Sequence, residues 1–250
     1  MNDIRIEVLG PLEAAVDGRP VALGGPKQRA VLAALLLAEG RLLTVEHLID
    51  VLWPEDPPTT AVTKVQGHVS ALRKALAEAG CASPAEVLVT RSPGYLLSGA
   101  ALRSDLDGFD SLVSDAAARA PEDPAGAVRL LTAALALWRG PAFADVTAPA
   151  IRAAAARLAD RWLAAAEDRA EFEIALGRHR EVLHQLGSLL DEHPFRDRLR
   201  ELHMLALIRM ERPLEAIASY ESCRTILSRE LGVEPCGRLR RLAASIGYPS

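Results

Sequence analysis

From Thr59 to Leu76 runs TTAVTKVQGHVSALRKAL, a segment whose polar side chains are hydroxyls, an amide, an imidazole and cations, with no carboxylate among them. Hydroxyls of threonine and serine hydrogen-bond base edges or phosphates, and Lys or Arg neutralises phosphate charge, so the set suits contact with a polyanion. As a helix, at about 100° per residue, the segment puts Val62, Val65, Val69, Leu72 and Leu76 on one stripe, the expected core face. The opposite face then carries Thr60, Thr63, Gly67 and Lys74, with Lys64, Ser70 and Ala71 beside them. A glycine inside a helix costs about 1 kcal/mol relative to alanine. Placed outward, Gly67 does nothing for core packing; it leaves the helix surface bare. A helix enters the DNA major groove when nothing bulky holds it off. The competing reading is a plain solvated face, but such faces are normally built from Glu, Lys and Arg.

Other candidate chemistry is weaker. GGPKQR at 24–29 has the look of a phosphate loop but lacks the second glycine before Lys-Ser/Thr. SDLDGFD clusters aspartates as a calcium loop does, yet its glycine is misplaced and no glutamate closes it, so helix capping by Asp107 is expected instead. His179 and His184 are not at metal spacing, and neither HExxH nor GxSxG occurs. Trp53, Trp138 and Trp162 sit among apolar residues at helical spacing and read as core. No catalytic, cofactor or metal site is expected, and the chain is not read as an enzyme.

The elements that must position the 59–76 helix follow from periodicity. IRIEVL (4–9) alternates apolar and polar as a half-buried strand does, and LEAAV and PVAL flank Asp17-Gly18 as a tight hairpin. Gly25-Pro26 opens a helix that runs to Gly40. Thr44 caps a second, VEHLIDVLW, stopped by Pro54, Pro57 and Pro58. EVLVT and GYLLS, around Arg91-Ser92-Pro93-Gly94, predict a final hairpin. Three helices followed by a hairpin form a winged helix, a relative of the helix-turn-helix whose third helix enters the groove. Arg91 at the hairpin tip would meet a phosphate, and Lys27, Gln28 and Arg29 would add positive charge at the start of the first helix.

Beyond about residue 105 the pattern is helical alone. Helices are expected from Asp107, from Pro121 or Pro124 to Trp138, and from near Ala150 to Leu176, the last burying Ile151, Leu158, Trp162, Phe172 and Leu176. Gly177–Leu183 lines up with Glu211–Ile217 at a spacing of 34, the period of tetratricopeptide helix pairs. The expected fold is mainly α with a small α+β part: a winged-helix domain over 1–100, then an all-helical, tetratricopeptide-like domain over 105–250.

Composition sets the outer bounds. Half of the 250 residues are apolar and a quarter charged, which is globular. Net charge is −4, so any nucleic-acid face must be a local patch. All but one of the three lysines (Lys27, Lys64, Lys74) lie in the 59–76 segment. No apolar run is long enough for a membrane span, and no basic, then apolar, leader opens the chain. Cys81, Cys223 and Cys236 form no CxxC pair and read as free thiols in a reducing cytoplasm.

The chain resembles the Streptomyces antibiotic regulatory protein family, small activators with an OmpR-like winged helix followed by a bacterial transcriptional activator domain. The matching segments are VLGPLEAAVDGRPVALGGPKQRAVLAALLL, LIDVLWPEDPP, KVQGHVSALRKAL and SPGYLL, then DLDGFDSLV, ALALWRGPAFADV, ALGRHREVLHQLGSLLDEHPFRDRL and ASYESCRTILSRELGVEP. They cover nearly the whole chain in order. The resemblance implies binding to direct repeats of double-stranded DNA near a promoter's −35 region. It also implies a homodimer on DNA, recruitment of RNA polymerase holoenzyme through its sigma factor or alpha subunit, and control of an antibiotic gene cluster. On this reading Thr60, Thr63, Lys64, Gly67 and Ser70 read bases. Lys27, Arg29, Arg73, Lys74 and Arg91 neutralise phosphates, and Gln28, Thr59 and His68 complete the DNA-contacting set. Ala71 stands where members of the family often carry arginine, which removes one contact. Longer members add an ATPase or phosphothreonine-reading module, and this chain is expected to work without either. The rival reading is an adaptor whose helical repeat is the functional part and whose winged helix binds protein.

Overall fold

The computed structural model describes residues 2–98 and 102–248; the expected boundary near 100 falls partly outside them. The chain forms two units by its own contacts, Met1–Ser111 with Ala134–Trp162, and Leu112–Ala133 with Leu163–Ser250.

In the first unit, β1 (Ile4–Glu7) buries Ile4 and Ile6 and exposes Arg5, as its alternation predicts. It pairs antiparallel with β2 (Glu13–Val16), which turns into β3 (Arg19–Pro20). Asp17 and Gly18, at φ 48° and 79°, supply the two positive angles that a tight hairpin needs. Helix α1 (Pro26–Leu37) is buried on all sides from Ala30 to Leu36, the central helix of the unit. Short β4 (Leu43–Thr44) leads into α2 (Val45–Leu52), where Thr44 Oγ1 accepts from the His47 amide at 3.1 Å. Then come α3 (Ala61–Glu78), the single turn α4 (Pro84–Val87), and the hairpin of β5 (Leu88–Arg91) and β6 (Gly94–Leu97), with β4 added to its edge. Gly94 admits that edge: a Cβ there would overlap the Leu43 carbonyl. Ile4, Ile6, Leu32, Leu72, Leu76, Leu88 and Leu97 meet in the core, so both sheets and α1 fix where α3 lies.

Two features were not foreseen. A further strand, β7 (Leu102–Ser104), runs parallel to β1. The segment after Ala134 also returns to the same unit: the amides of Arg139, Phe143 and Ala144 donate to the carbonyls of Leu9, Val8 and Gly10 at 2.7, 2.9 and 3.2 Å. Helix α5 (Asp105–Arg119) starts two residues before the expected cap. Asp107 therefore lies within its first turn, and Ser104 Oγ accepts from the Leu106 amide instead. Asp105 serves the sheet end: its carboxylate accepts from the amides of Val8 (2.8 and 3.0 Å) and Leu9 (3.0 Å).

The second unit is helical. It takes α6 (Pro124–Ala136) as far as Ala133 and α7 (Pro149–Ala175) from Leu163, then α8 (His179–Glu192), α9 (Asp197–Arg209), α10 (Pro213–Leu231) and α11 (Gly237–Ser245). Helices α8 and α10 begin 34 residues apart (213 − 179), as the internal repeat predicts. Leu176 is 37% exposed, because α7 ends at Ala175 and the residue falls beyond its apolar stripe. Glu167 on α7 is fully buried, and the Arg196 guanidinium donates to it at 2.8 and 3.2 Å. Among the described residues no helix is long and apolar enough to cross a membrane.

Candidate nucleic-acid interface

Helix α3 buries Ala61, Val65, Val69, Leu72, Ala75 and Leu76. Val62, expected on this stripe, is 50% exposed. Ala61 takes the buried position of the first turn, which turns Val62 about 70° away from the centre of the buried face. The opposite face is open: Thr63, Gly67, Ser70 and Lys74 are exposed, and a Cβ at Gly67 would meet nothing within 4 Å. Thr59 and Thr60 lie exposed just ahead of it. Thr60 occupies the N-cap position without a side-chain cap bond, so its hydroxyl and the first free amides of α3 remain available to a ligand oxygen.

Two flanks border this face. On one, Arg73 Nε donates to the Leu88 carbonyl at 2.9 Å, and its Nη2 donates to Thr90 Oγ1 at 2.8 Å. Its guanidinium is therefore spent on fixing the hairpin against α3. Gln66 and Val62 are exposed on the same flank. The sequence reading passed over Gln66 and put Val62 in the core, although an amide that can pair with adenine and a methyl surface that can meet thymine belong to the groove-reading repertoire. On the other flank, His68 stacks on Trp53 with ring centroids 6.4 Å apart, and Lys27 Nζ sits 5.0 Å from the Trp53 centroid. Burial, then the positive charges of Lys27 and Lys64, hold the His68 imidazole below its ordinary range. Trp53 is half-buried, a platform joining α1, α2 and α3.

The Lys27-Gln28-Arg29 triplet is occupied within the fold. Lys27 donates to the Leu52 carbonyl, Gln28 Oε1 accepts from the Gly25 amide at 2.7 Å, and Arg29 reaches the Leu12 carbonyl at 2.8 Å and pairs with Asp145. Arg91 is exposed at the hairpin end, opposite Gly94. Lys64 is exposed, while Lys74 lies 3.7 Å from Glu78 in a solvent-exposed pair. Hence α3 and the turn before it bring together Thr59, Thr60, Thr63, Lys64, Gly67, His68, Ser70 and Lys74, Arg91 stands exposed at the hairpin end, and Lys27, Gln28, Arg29 and Arg73 are engaged in contacts within the fold. Among the described residues no group of three His, Cys, Asp or Glu side chains is placed to hold a metal ion.

A helix with a bare polar outer face, carried on two others and braced by a β-hairpin, defines a winged-helix transcriptional regulator. Residues 18–97 match the model of the transcriptional regulatory protein C-terminal domain, and residues 104–247 match that of the bacterial transcriptional activator domain. The chain belongs to this activator-domain family and, with it, to the Streptomyces antibiotic regulatory protein family. It is 43% identical to the regulatory protein AfsR of Streptomyces coelicolor over 97% of its own length and 24% of that protein. It is 36% identical to the transcriptional regulator RedD of the same organism over 97% of this chain and 70% of that protein. The structure of Mycobacterium tuberculosis EmbR, in complex with a low-affinity phosphopeptide, superposes with a TM-score of 0.92 at 36% identity, covering 98% of this chain and 65% of EmbR. The chain thus spans about a quarter of AfsR and under two thirds of EmbR.

Proposed function

We propose that the chain is a sequence-specific DNA-binding activator whose α3 lies in the major groove of direct repeats near a promoter's −35 region. One observation carries this reading: the exposed face of α3 has a gap at Gly67, rimmed by hydroxyls and by Lys64 and Lys74. Thr60, Thr63, Lys64, Gly67 and Ser70 read bases, with Gln66 added on the hairpin side. Lys74 and Arg91 contact phosphates on either side, and Arg73 holds the hairpin in register. Two copies sit head to tail on the repeats as a dimer on DNA. The helical domain, which leaves Phe195 and Leu214 exposed at 48% and 79%, docks on RNA polymerase holoenzyme through its sigma factor or alpha subunit. The division of labour runs between residues 1–100 and 105–250, and the regulated genes are an antibiotic-type biosynthetic cluster.

Fluorescence anisotropy with duplexes from the promoter region upstream of the chain's own gene tests the reading. Specific duplexes should bind at physiological salt, with affinity falling steeply on a log–log plot against salt. Lys74→Ala should weaken binding to every sequence alike and reduce the slope by about one unit. Absence of any salt-dependent binding would overturn the proposal and leave the protein-binding adaptor in its place.

A further inference from the structure

Helices α10 and α11 border an open cleft of about 470 Å3 lined by Tyr220, Arg224, Glu234, Gly237, Arg240 and Arg241, with Tyr248 at its side. That volume falls within the range of small-molecule sites. Three guanidiniums against one carboxylate leave the lining with a net charge of +2 (3 − 1). Many arginines of this unit are neutralised by a neighbouring acid, as Arg196, Arg198, Arg212, Arg229 and Arg238 are. Among the described residues Arg224, Arg240 and Arg241 form no such pair, so their forked donors remain free for an anion.

Two further features converge on the same spot. Helix α11 begins at Gly237, itself part of the lining, with no side-chain cap from Cys236, so its first amides are left without a side-chain acceptor beside the Arg241 guanidinium. Tyr220 is 4% exposed, and burial, then Glu234, pushes its phenol further up from a value at which the hydroxyl is already a donor at neutral pH. Its ring meets Tyr248 edge-on at 4.9 Å, and the Arg224 guanidinium lies 6.0 Å from the Tyr248 centroid, so the wall is aromatic as well as cationic.

We propose that this cleft binds a small phosphorylated molecule, with its phosphate held by Arg240, Arg241 and the start of α11 and its organic part against Tyr248 and Glu234. The site lies wholly within α10, α11 and the chain that joins and follows them, and is independent of the face of α3. A regulator with such a site can sense a phosphorylated metabolite.

Thermal denaturation of the full chain without DNA, using AMP, inorganic pyrophosphate and adenosine as probes, tests it. AMP and pyrophosphate should each raise Tm by roughly 3 °C at about tenfold their dissociation constants, and adenosine should not. The rise should vanish in the Arg240→Ala/Arg241→Ala double variant and persist in Arg180→Ala/Arg209→Ala, which removes equal charge from exposed positions elsewhere on the unit. No rise with either phosphate compound, an equal rise with adenosine, or equal behaviour of the two double variants would overturn the proposal. If Arg240→Ala/Arg241→Ala unfolds early, titration of Tyr248→Leu and Arg224→Ala by calorimetry replaces it. Each should bind AMP at least about fivefold more weakly, a loss of about 1 kcal/mol, and unchanged affinity in both would sink the site.

Discussion

Gly67 separates folding from function more sharply than any other residue of α3. Nothing lies near its missing side chain, so Gly67→Leu should strengthen the helix by about 0.8 kcal/mol and raise the unfolding midpoint. The same change fills the gap that the groove needs, and specific DNA binding should be lost. Normal operator affinity in a Gly67→Leu protein would refute the outward-face reading. His68 adds a dependence on pH with two opposite signs. Its imidazole is held below the usual range by burial and by Lys27 and Lys64, so as pH falls through about 6.5 the unfolded chain takes up the proton first and stability declines. A bound polyanion would favour the protonated ring, so DNA affinity should rise over the same interval, and His68→Gln should flatten that rise in anisotropy titrations. The value of Gly67 was legible because the polar residues around it repeat at helical spacing. Val62 was misplaced because the stripe alone does not show that Ala61 has already filled the first turn. Lys27 and Arg29 were read as part of a basic entrance because their partners Leu52 and Asp145 lie far along the chain.

Elements were read best where one periodicity ran long enough. Helices α1, α2 and α3 stand where periodicity, proline and the Thr44 cap put them, whereas the opening hairpin's second strand is only Arg19–Pro20 and not the expected Pro20–Leu23. Two-residue β4 and three-residue β7 carry too little pattern to be seen, yet they set the edges of both sheets. The hairpin also depends on a link that no local pattern encodes, the Arg73 guanidinium on the Leu88 carbonyl and Thr90. Arg73→Leu should cost about 1–2 kcal/mol in denaturant titrations. It should also weaken specific DNA binding while leaving the salt slope nearly unchanged, because a brace and not a phosphate contact is lost. A slope reduced by a full unit, as expected for Lys74→Ala, would show that Arg73 touches the backbone after all.

At the scale of the molecule, the first unit is not a continuous stretch of chain. β7 completes the sheet, Asp105 satisfies the amides of Val8 and Leu9, and Asp145 satisfies Leu12 and Arg29. Asp105 is 10% exposed at its side chain, so Asp105→Ala strands two backbone donors and should cost about 2–4 kcal/mol by chemical denaturation. A change below about 0.5 kcal/mol would mean that water replaces the carboxylate at no cost. Long-range dependence of this kind is invisible to periodicity, which registers only the change near residue 100 from a mixed to an all-helical pattern. The consequence reaches protein engineering. A chimaera spliced at residue 100 would give one parent's reading head the other parent's acids at 105 and 145, so such grafts should succeed only between parents that share those two carboxylates. The two stretches of this chain therefore work as a matched set.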